Sequence, residues 1–331
     1  MKKIAIAWPG FTVYMGDCWQ TLATRHEVRV WIEPSRYEQR FDGAELAGID
    51  WRRVERGGEG GAVDEMKAFA PDAMLVCGWA TPLAIAAAAA KFDCRKVLAF
   101  DMPWELSVRK IAARWALRPR LRHFDAAFVP GSRAAKYARW LGFGTVVEGS
   151  NPSGWERFSR IERAEHAERF VYVGRFAEEK GIRVLLEAYA NYRDSVDEPW
   201  PLDMVGSGDM VVRAQDGVNV VGFVHPEKMP EVVSGHGALV LPSLWEPWGI
   251  SAMEAMSAGL MTIATDACGF TDDAEPTVKC PAGSAVALCD AMVEVHKMGA
   301  AERTTEAARA RHSAERYSAV KWVERLEGLF K

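Results

Sequence analysis

The chain has 331 residues, 49% hydrophobic and 26% charged, which excludes a disordered chain and a collagen-like one. At roughly 150 residues per domain this length predicts two domains, each able to bury a core. The net charge of −4 is a balance of +5 over residues 1–166 and −9 over residues 167–331. The first half is therefore expected to face an anionic partner, although the asymmetry is too mild for a nucleic-acid-binding protein.

The chain shows no pattern typical of a secreted or membrane-spanning protein. MKKIAIAWPG has a shorter apolar core than a signal peptide and is interpreted as a first strand with a tight turn. The longest apolar run, Leu83–Ala90, is too short to span a bilayer. The six cysteines form no C-x-x-C pair, which indicates reduced, packed thiols in a cytoplasmic protein.

Short apolar runs alternate with helical patterns along the chain. This order predicts an α/β fold with two doubly wound parallel sheets flanked by helices. A boundary is expected in the Gly-, Ser- and Pro-rich segment Gly149–Gly154 and the charged segment after it. The predicted strands are Ile4–Trp8, Val28–Glu33, Ala73–Cys77, Val97–Phe100, Ala126–Pro130, Phe170–Gly174, Leu202–Gly206, Val218–Val221, Ala238–Pro242 and Met261–Thr265.

The segment Leu239–Gly259 carries the richest pattern. A buried strand is followed by a loop with Glu246 and Gly249, and then by a helix with Glu254. A glycine between a strand and a helix lets the backbone approach a ligand, and the helix N-terminus favours a phosphate or sugar oxygen. The two glutamates could reach one elongated polar ligand; alternatively, Glu254 only complements the helix dipole.

A second segment, Val171–Gly181, ends a strand at Gly174 and then presents Arg175 and Lys180. Two cations beside a glycine turn suit a diphosphate, since an arginine binds it bidentately and a lysine acts as a point charge. The alternative is a surface turn whose charged residues form salt bridges.

Together these segments closely resemble the retaining GT-B glycosyltransferases of glycosyltransferase family 4. The resemblance covers the second half well and the first half weakly. The motifs that carry it are Gly174-Arg175-Phe176 with Glu179-Lys180-Gly181, Gly206-Ser207-Gly208, Gly222-Phe223-Val224, the Glu-x7-Glu pair Glu246 and Glu254 leading to Gly259, and Thr262–Asp266.

The resemblance implies two Rossmann-like domains that face a cleft. Residues 1–160, with a C-terminal helix at about 316–331 that crosses back, would bind the acceptor, and residues 161–315 would bind the nucleotide sugar. The implied activity is a retaining hexosyltransferase that needs no metal or other cofactor. It would move a sugar, with UDP-sugars favoured, to a saccharide or lipid-linked acceptor in cell-surface polysaccharide or lipopolysaccharide synthesis.

The resemblance also implies roles for individual residues. Arg175 and Lys180 would bind the β-phosphate, Glu246 the hydroxyls of the donor sugar, Glu254 the ribose, and Val224 the base through its backbone. The remaining nucleotide-sugar contacts would come from Gly174, Gly206, Gly249, Ile250 and Ser251.

Two departures from the family pattern lie in the first half. The usual Gly-Gly loop reads Tyr14-Met15-Gly16-Asp17 here, which leaves Gly16 as the expected diphosphate contact. Asp101 stands where many members carry an active-site histidine. Asp101 is expected to orient the acceptor or the sugar O6; the alternative is a helix N-cap before Pro103.

Two features of the first half concern the acceptor side. Three tryptophans lie at or just after the ends of predicted strands: Trp8, Trp79 and Trp104. They are expected either to stack on a saccharide acceptor or to pack beneath the loops. The basic segment Leu106–His123 places Val108, Ile111, Ala112 and Trp115 on one helical face. This helix is either a domain helix whose apolar face is core or an element on an anionic membrane surface, which would make the protein peripheral on the inner face of the cytoplasmic membrane.

Other functions fit the sequence less well. No G-x-G-x-x-G follows a strand, which argues against a Rossmann dehydrogenase. The Glu-x7-Glu pair argues against a nucleotide-sugar epimerase. A GDP-mannose-type donor and a non-catalytic scaffold that binds a nucleotide sugar remain as alternatives.

Overall fold

The computed structural model describes residues 1–35, 46–105, 107–162 and 167–331, with the backbone but not the side chain of Arg109. Leu106 of the predicted basic segment lies outside the described residues. So do residues 163–166 of the charged segment after the expected boundary. The chain divides into two compact units. Unit 1 comprises Met1–Pro152 and Ala319–Lys331, and unit 2 comprises Ser153–Ser318.

Unit 1 contains a parallel sheet of seven strands in the order β3-β2-β1-β4-β5-β6-β7. The order reverses between β1 and β4, which defines a doubly wound sheet. The strands are β1 (Lys3–Pro9), β2 (Glu27–Glu33), β3 (Asp50–Arg53), β4 (Ala73–Cys77), β5 (Arg95–Ala99), β6 (Ala126–Val129) and β7 (Val146–Glu148). The helices are α1 (Val13–Ala23), α2 (Glu59–Phe69), α3 (Pro82–Ala89), α4 (Val108–Leu121), α5 (Ser132–Leu141) and the C-terminal α12 (Ala319–Leu329).

The C-terminal helix completes the core of unit 1. Trp322 of α12 is fully buried, with its ring 5.6 Å from that of Phe128 on β6. Its indole Nε1 donates to the carbonyl of Ser150 at 2.8 Å. Because α12 also packs against α1, the last thirteen residues belong structurally to the first half of the sequence.

Unit 2 contains a parallel sheet of six strands in the order β10-β9-β8-β11-β12-β13. This is also a doubly wound order, and its reversal falls between β8 and β11. The strands are β8 (Phe170–Val173), β9 (Leu202–Val205), β10 (Val218–Gly222), β11 (Ala238–Leu241), β12 (Met261–Thr265) and β13 (Val278–Cys280). The helices are α6 (Trp155–Phe158), α7 (Ile182–Ser195), α8 (Met229–Ser234), α9 (Ile250–Ala258), α10 (Ala285–Lys297) and α11 (Ala300–Glu315).

The structure adds detail that the sequence patterns did not give. Every predicted strand forms, and β3, β7 and β13 are additional. The division after Pro152 lies within the expected boundary segment Gly149–Gly154 and ahead of position 160, the expected end of the first domain. Phe158 of α6 is fully buried in the core of unit 2. The six cysteines, all among the described residues, form no disulfide. Among the described residues, no helix has the length and apolar character needed to cross a bilayer.

Candidate functional site

The candidate site of unit 2 lies where the strand order reverses, at the carboxyl ends of β8 and β11. The loops that follow these two strands are joined through their backbones. The amides of Leu244 and Trp245 donate to the carbonyl of Glu179 at 2.8 and 3.2 Å. Gly181 lies so close that a Cβ there would be 2.0 Å from the carbonyl oxygen of Pro242. Residues from two distant parts of the chain are therefore held side by side.

The loops after β8 and β9 also approach each other closely, which explains the glycine at 206. Gly206 has a φ of +139°, and a Cβ there would lie 1.9 Å from the carbonyl oxygen of Gly174. The Gly174 amide donates to the Val205 carbonyl at 3.0 Å, and the Gly206 amide donates to the Gly222 carbonyl at 2.8 Å. Only a glycine at 206 permits this approach of three strand ends.

Lys180 and Glu246 form the central ion pair of this site, with Nζ 2.5 Å from Oε2. Their side chains are only 16% and 14% exposed. The Glu246 carbonyl accepts a hydrogen bond from the Gly269 amide at 3.0 Å, which anchors the loop against the segment after β12. Burial, together with the nearby Glu246 carboxylate, raises the pKa of the Cys268 thiol to about 12. The Lys180–Glu246 pair is thus largely screened from water.

Arg175 lies in a more open position. Its guanidinium is 2.6 Å from the Glu179 carboxylate, and the side chains are 54% and 41% exposed. The Tyr172 hydroxyl donates to the Arg175 carbonyl at 2.7 Å, which fixes the backbone of this turn. Hydrogen bonding by its own backbone amide, and then the charge of Arg175, lowers the pKa of Glu179. Since exposed ion pairs contribute little, an incoming anion can redirect the Arg175 side chain at small cost.

Helix α9 presents its N-terminus to the same edge of the sheet. Gly249 precedes the helix with a φ of +120° and has no side chain to cap it. The first amides, those of Ile250 and Ser251, have no partner within the helix and favour an anion. Glu254 follows in the next turn, and its Oε1 accepts a hydrogen bond from Arg157 at 3.2 Å.

Three residues of this site were missed or left without a role by the sequence analysis. Arg157 holds Glu254 from a distance of 97 residues along the chain, which no local pattern reveals. Glu179 pairs with Arg175 and was noted only as part of a motif. Ser243 at the end of β11 is fully buried, and its Oγ has no hydrogen-bond partner among the described residues. Val224, predicted to contact a base, is half-buried after β10.

The structure corrects the expected position of Gly16 and excludes the helix N-cap alternative for Asp101. Gly16 lies within α1 rather than in a loop, and its amide donates to the Thr12 carbonyl at 3.3 Å. Asp101 is exposed after β5 and is not a helix N-cap. Ser107 takes that position, since α4 begins at Val108 and the Lys110 amide donates to the Ser107 hydroxyl at 3.3 Å.

Trp8 lies near the end of β1, whereas Trp79 and Trp104 follow β4 and β5. All three side chains are half-buried and pack against other rings. Trp8 lies 5.8 Å from Trp19, Trp79 lies 4.9 Å from Phe100, and Trp104 lies 5.0 Å from Trp140. Each of the three rings thus has an aromatic neighbour within unit 1.

The basic segment forms α4, but its apolar stripe does not enter the core. Val108, Ile111, Ala112 and Trp115 are all exposed. The helix instead packs through Lys110 and Leu121, which are buried. The core alternative for the stripe is therefore wrong.

Comparison with known proteins identifies the fold and the family of the second half. Residues 167–298 match the family described as glycosyl transferases group 1. An uncharacterized glycosyltransferase of Methanocaldococcus jannaschii is 28% identical over 146 residues, which are 38% of this chain and 37% of that relative. The match thus spans little more than a third of that relative's length.

Solved structures resemble the whole chain. Anabaena HepE in complex with UDP and glucose has a TM-score of 0.74 at 14% identity, with 99% of each chain covered. The lipopolysaccharide outer core galactosyltransferase WaaB has a TM-score of 0.67 at 16% identity, covering 99% of this chain and 98% of that one. The protein has a GT-B fold. Within it, residues 167–298 form a glycosyl transferases group 1 domain.

Proposed function

We propose that the chain is a retaining hexosyltransferase that takes its sugar from a UDP-sugar. The observation that carries the proposal is the buried Lys180–Glu246 pair beside the N-terminus of α9, at the switch point of the unit 2 sheet. An anion-binding helix end, two cations and two carboxylates suit a ligand with a diphosphate at one end and hydroxyls at the other. The fold shared with HepE, which was crystallised with UDP and glucose, supports this choice.

In the proposed mechanism, charge builds on the leaving β-phosphate as the bond to the sugar breaks. Arg175 and Lys180, with the first amides of α9, would stabilise this charge more strongly in the transition state than in the ground state. Lys180, held by Glu246, and the amides, held by the helix, are fixed before the reaction, whereas Arg175 would turn from Glu179 to the phosphate. We propose that they take the part that a metal ion plays in other glycosyl transfers.

The two glutamates would orient the donor. Glu246 accepts hydrogen bonds only, as a carboxylate, and it is placed next to the cation that would bind the phosphate. It would hold the sugar hydroxyls. Glu254, fixed by Arg157, would hold the ribose hydroxyls. Gly174, Gly206 and Val224 line the same strand ends and would contact the nucleotide through their backbones.

Unit 1 would carry the acceptor, a saccharide or a lipid-linked saccharide of cell-surface polysaccharide or lipopolysaccharide synthesis. Asp101, exposed after β5, would orient the acceptor hydroxyl or the sugar O6. A lipid-linked acceptor would place the protein on the inner face of the cytoplasmic membrane. If Asp101→Asn retains full turnover, this role of Asp101 is wrong.

The experiment is to incubate the protein with a panel of UDP-sugars in EDTA and to measure UDP release and the anomeric form of the first product by NMR. We expect the α-linked donor to give an α product. Lys180→Ala should lower the rate about a hundredfold or more. The control Lys297→Ala removes an exposed lysine of α10 and should leave the rate unchanged. An initial β product would overturn retention, and UDP binding without release would favour the scaffold alternative.

A further inference from the structure

Helix α4 of unit 1 exposes apolar side chains that the fold does not use. Val108 is 84% exposed and Trp115 is 69% exposed, and Ile111 lies between them on the same face. The helix is held to the body by other residues: Lys110 is buried and donates to the Pro103 carbonyl, and Arg114 lies over the Trp140 ring. The stripe formed by Val108, Ile111 and Trp115 is therefore free to contact something outside the molecule.

A basic groove lies at the C-terminal end of the same helix. It has a volume of about 430 Å³, and its lining includes Arg114, Trp115, Arg118 and Arg122 of α4 and residues 142–144 after α5. A single acid, Asp125, lines it, and that carboxylate accepts a hydrogen bond from the Lys96 amide at 2.8 Å.

The charge of this groove is not neutralised within the protein. Arg118 and Arg122 are exposed, and neither side chain forms a hydrogen bond or ion pair with any part of the chain that the structure describes. Gly142 and Gly144, which also line the groove, have open space where a Cβ would lie. The groove is therefore accessible to an anion.

We propose that α4 and this groove form a docking surface for an anionic lipid bilayer. The Val108–Ile111–Trp115 stripe would enter the headgroup region, where tryptophan is favoured. Arg118 and Arg122 would hold a lipid phosphate in the groove. An exposed apolar stripe continuous with unpaired arginines matches a surface that is anionic outside and apolar beneath. The inference rests on the membrane location given in the proposed function and names the surface that would make the attachment; vesicle binding can fail while UDP binding to unit 2 stands.

The test is co-sedimentation of the full chain with vesicles of phosphatidylcholine alone and with vesicles that also contain phosphatidylglycerol. We expect binding to the anionic vesicles only, weakened by added salt. At ~1 kcal/mol per basic residue, the double variant Arg118→Gln/Arg122→Gln should lower the partition coefficient about tenfold or more. Trp115→Ala should lower it about tenfold.

The matched control is Arg56→Gln/Lys67→Gln, which removes two exposed charges of unit 1 away from α4. It should bind like the wild type, which separates a specific surface from a general charge effect. Thermal melting of each variant checks folding, and UDP titration reports on unit 2 independently of the bilayer. Equal binding to neutral and anionic vesicles, or equal losses in the control and α4 variants, would overturn the proposal.

Discussion

Each cation of the unit 2 site lies against a carboxylate of the same unit. The buried pair Lys180–Glu246 and the Arg157–Glu254 hydrogen bond fix side chains in place, because moving either partner away would leave a charge in a poorly hydrated position. The pair Arg175–Glu179 is more exposed and is screened by solvent. A diphosphate would therefore meet one fixed cation, Lys180, and one that can exchange its partner, Arg175.

This difference gives a prediction for Glu179→Gln. The substitution removes the carboxylate that competes for Arg175 and leaves the backbone carbonyl that holds the next loop. We expect UDP to bind about twofold to fivefold more tightly, since an exposed ion pair is worth up to about 1 kcal/mol. Calorimetric titration measures the change. The control Glu178→Gln, which frees Arg183 instead, should have no effect, and weaker UDP binding by Glu179→Gln would contradict this account.

The glycine at 206 gives a second prediction. Gly206→Ala places a Cβ 1.9 Å from a backbone oxygen at a φ of +139°, so the strand ends of the site must separate. We expect a loss of about 3 kcal/mol or more in the free energy of unfolding, measured with urea. Gly222→Ala is the matched control, because its φ is +82° but nothing lies within 4 Å. It should lose only about 1 kcal/mol, and similar losses in both variants would mean that the close approach is unimportant.

At the scale of elements, a polar cluster centred on the buried residues Asp203 and His236 joins the amino ends of four strands of unit 2. Asp203 on β9 receives hydrogen bonds from Arg169 before β8, Asn219 on β10 and His236 before β11, at 2.9 to 3.0 Å. Burial raises the pKa of Asp203, but the hydrogen bonds from Asn219 and His236 and the charge of Arg169 outweigh it, so the pKa lies below its usual value. This cluster is at the opposite edge of the sheet from the candidate site.

The sign of that shift predicts how stability depends on pH. A lowered carboxyl pKa contributes stability that is fully present above the unfolded pKa of about 3.9 and is lost as the pH falls through the lower folded value. Asp203→Asn should cost about 3 kcal/mol at neutral pH and should flatten the loss of stability below about pH 4. Urea unfolding across this range measures both. Asp216→Asn, with a 93% exposed side chain, should do neither, and an unchanged acid slope in Asp203→Asn would contradict the assignment.

Apolar runs predicted the central strands of both sheets, because those strands are buried on both faces and need such runs. The edge strands β3 and β7 and the short β13 were missed. β3 reads Asp-Trp-Arg-Arg, and only pairing with β2 makes it a strand. The helical stripe of α4 was found, but its periodicity does not say which face packs. The buried Lys110 decides this, and the spacing of the basic residues does not show that one of them is buried.

For the candidate site, too, local patterns predicted the residues but not the contacts between them. Arg175, Lys180, Glu246 and Glu254 were predicted from motifs that lie directly after strands, where a parallel sheet places its ligands. The pairing of Lys180 with Glu246, and of Arg157 with Glu254, depends on contacts between distant segments. No local spacing contains that information.

At the scale of the whole molecule, each unit has its own hydrophobic cores. Those of unit 1 include α12, so that residues from both ends of the sequence complete one core, as Trp322 shows. Those of unit 2 are built only from residues between 158 and 317. The proposed nucleotide contacts Arg175, Lys180, Glu246 and Glu254 lie in unit 2, so a nucleotide should bind there through residues of one compact body.

The most direct test of this account is calorimetric titration of the purified chain with UDP and with GDP in the presence of EDTA. We predict that UDP binds and that GDP binds more weakly. Lys180→Ala should reduce the UDP affinity about tenfold or more, as expected for a lost hydrogen bond to a charged group, whereas Lys297→Ala should not. Preferential binding of GDP would replace the UDP-sugar donor with a GDP-sugar donor. Binding of neither nucleotide by a well-folded sample would contradict the assignment of the unit 2 site.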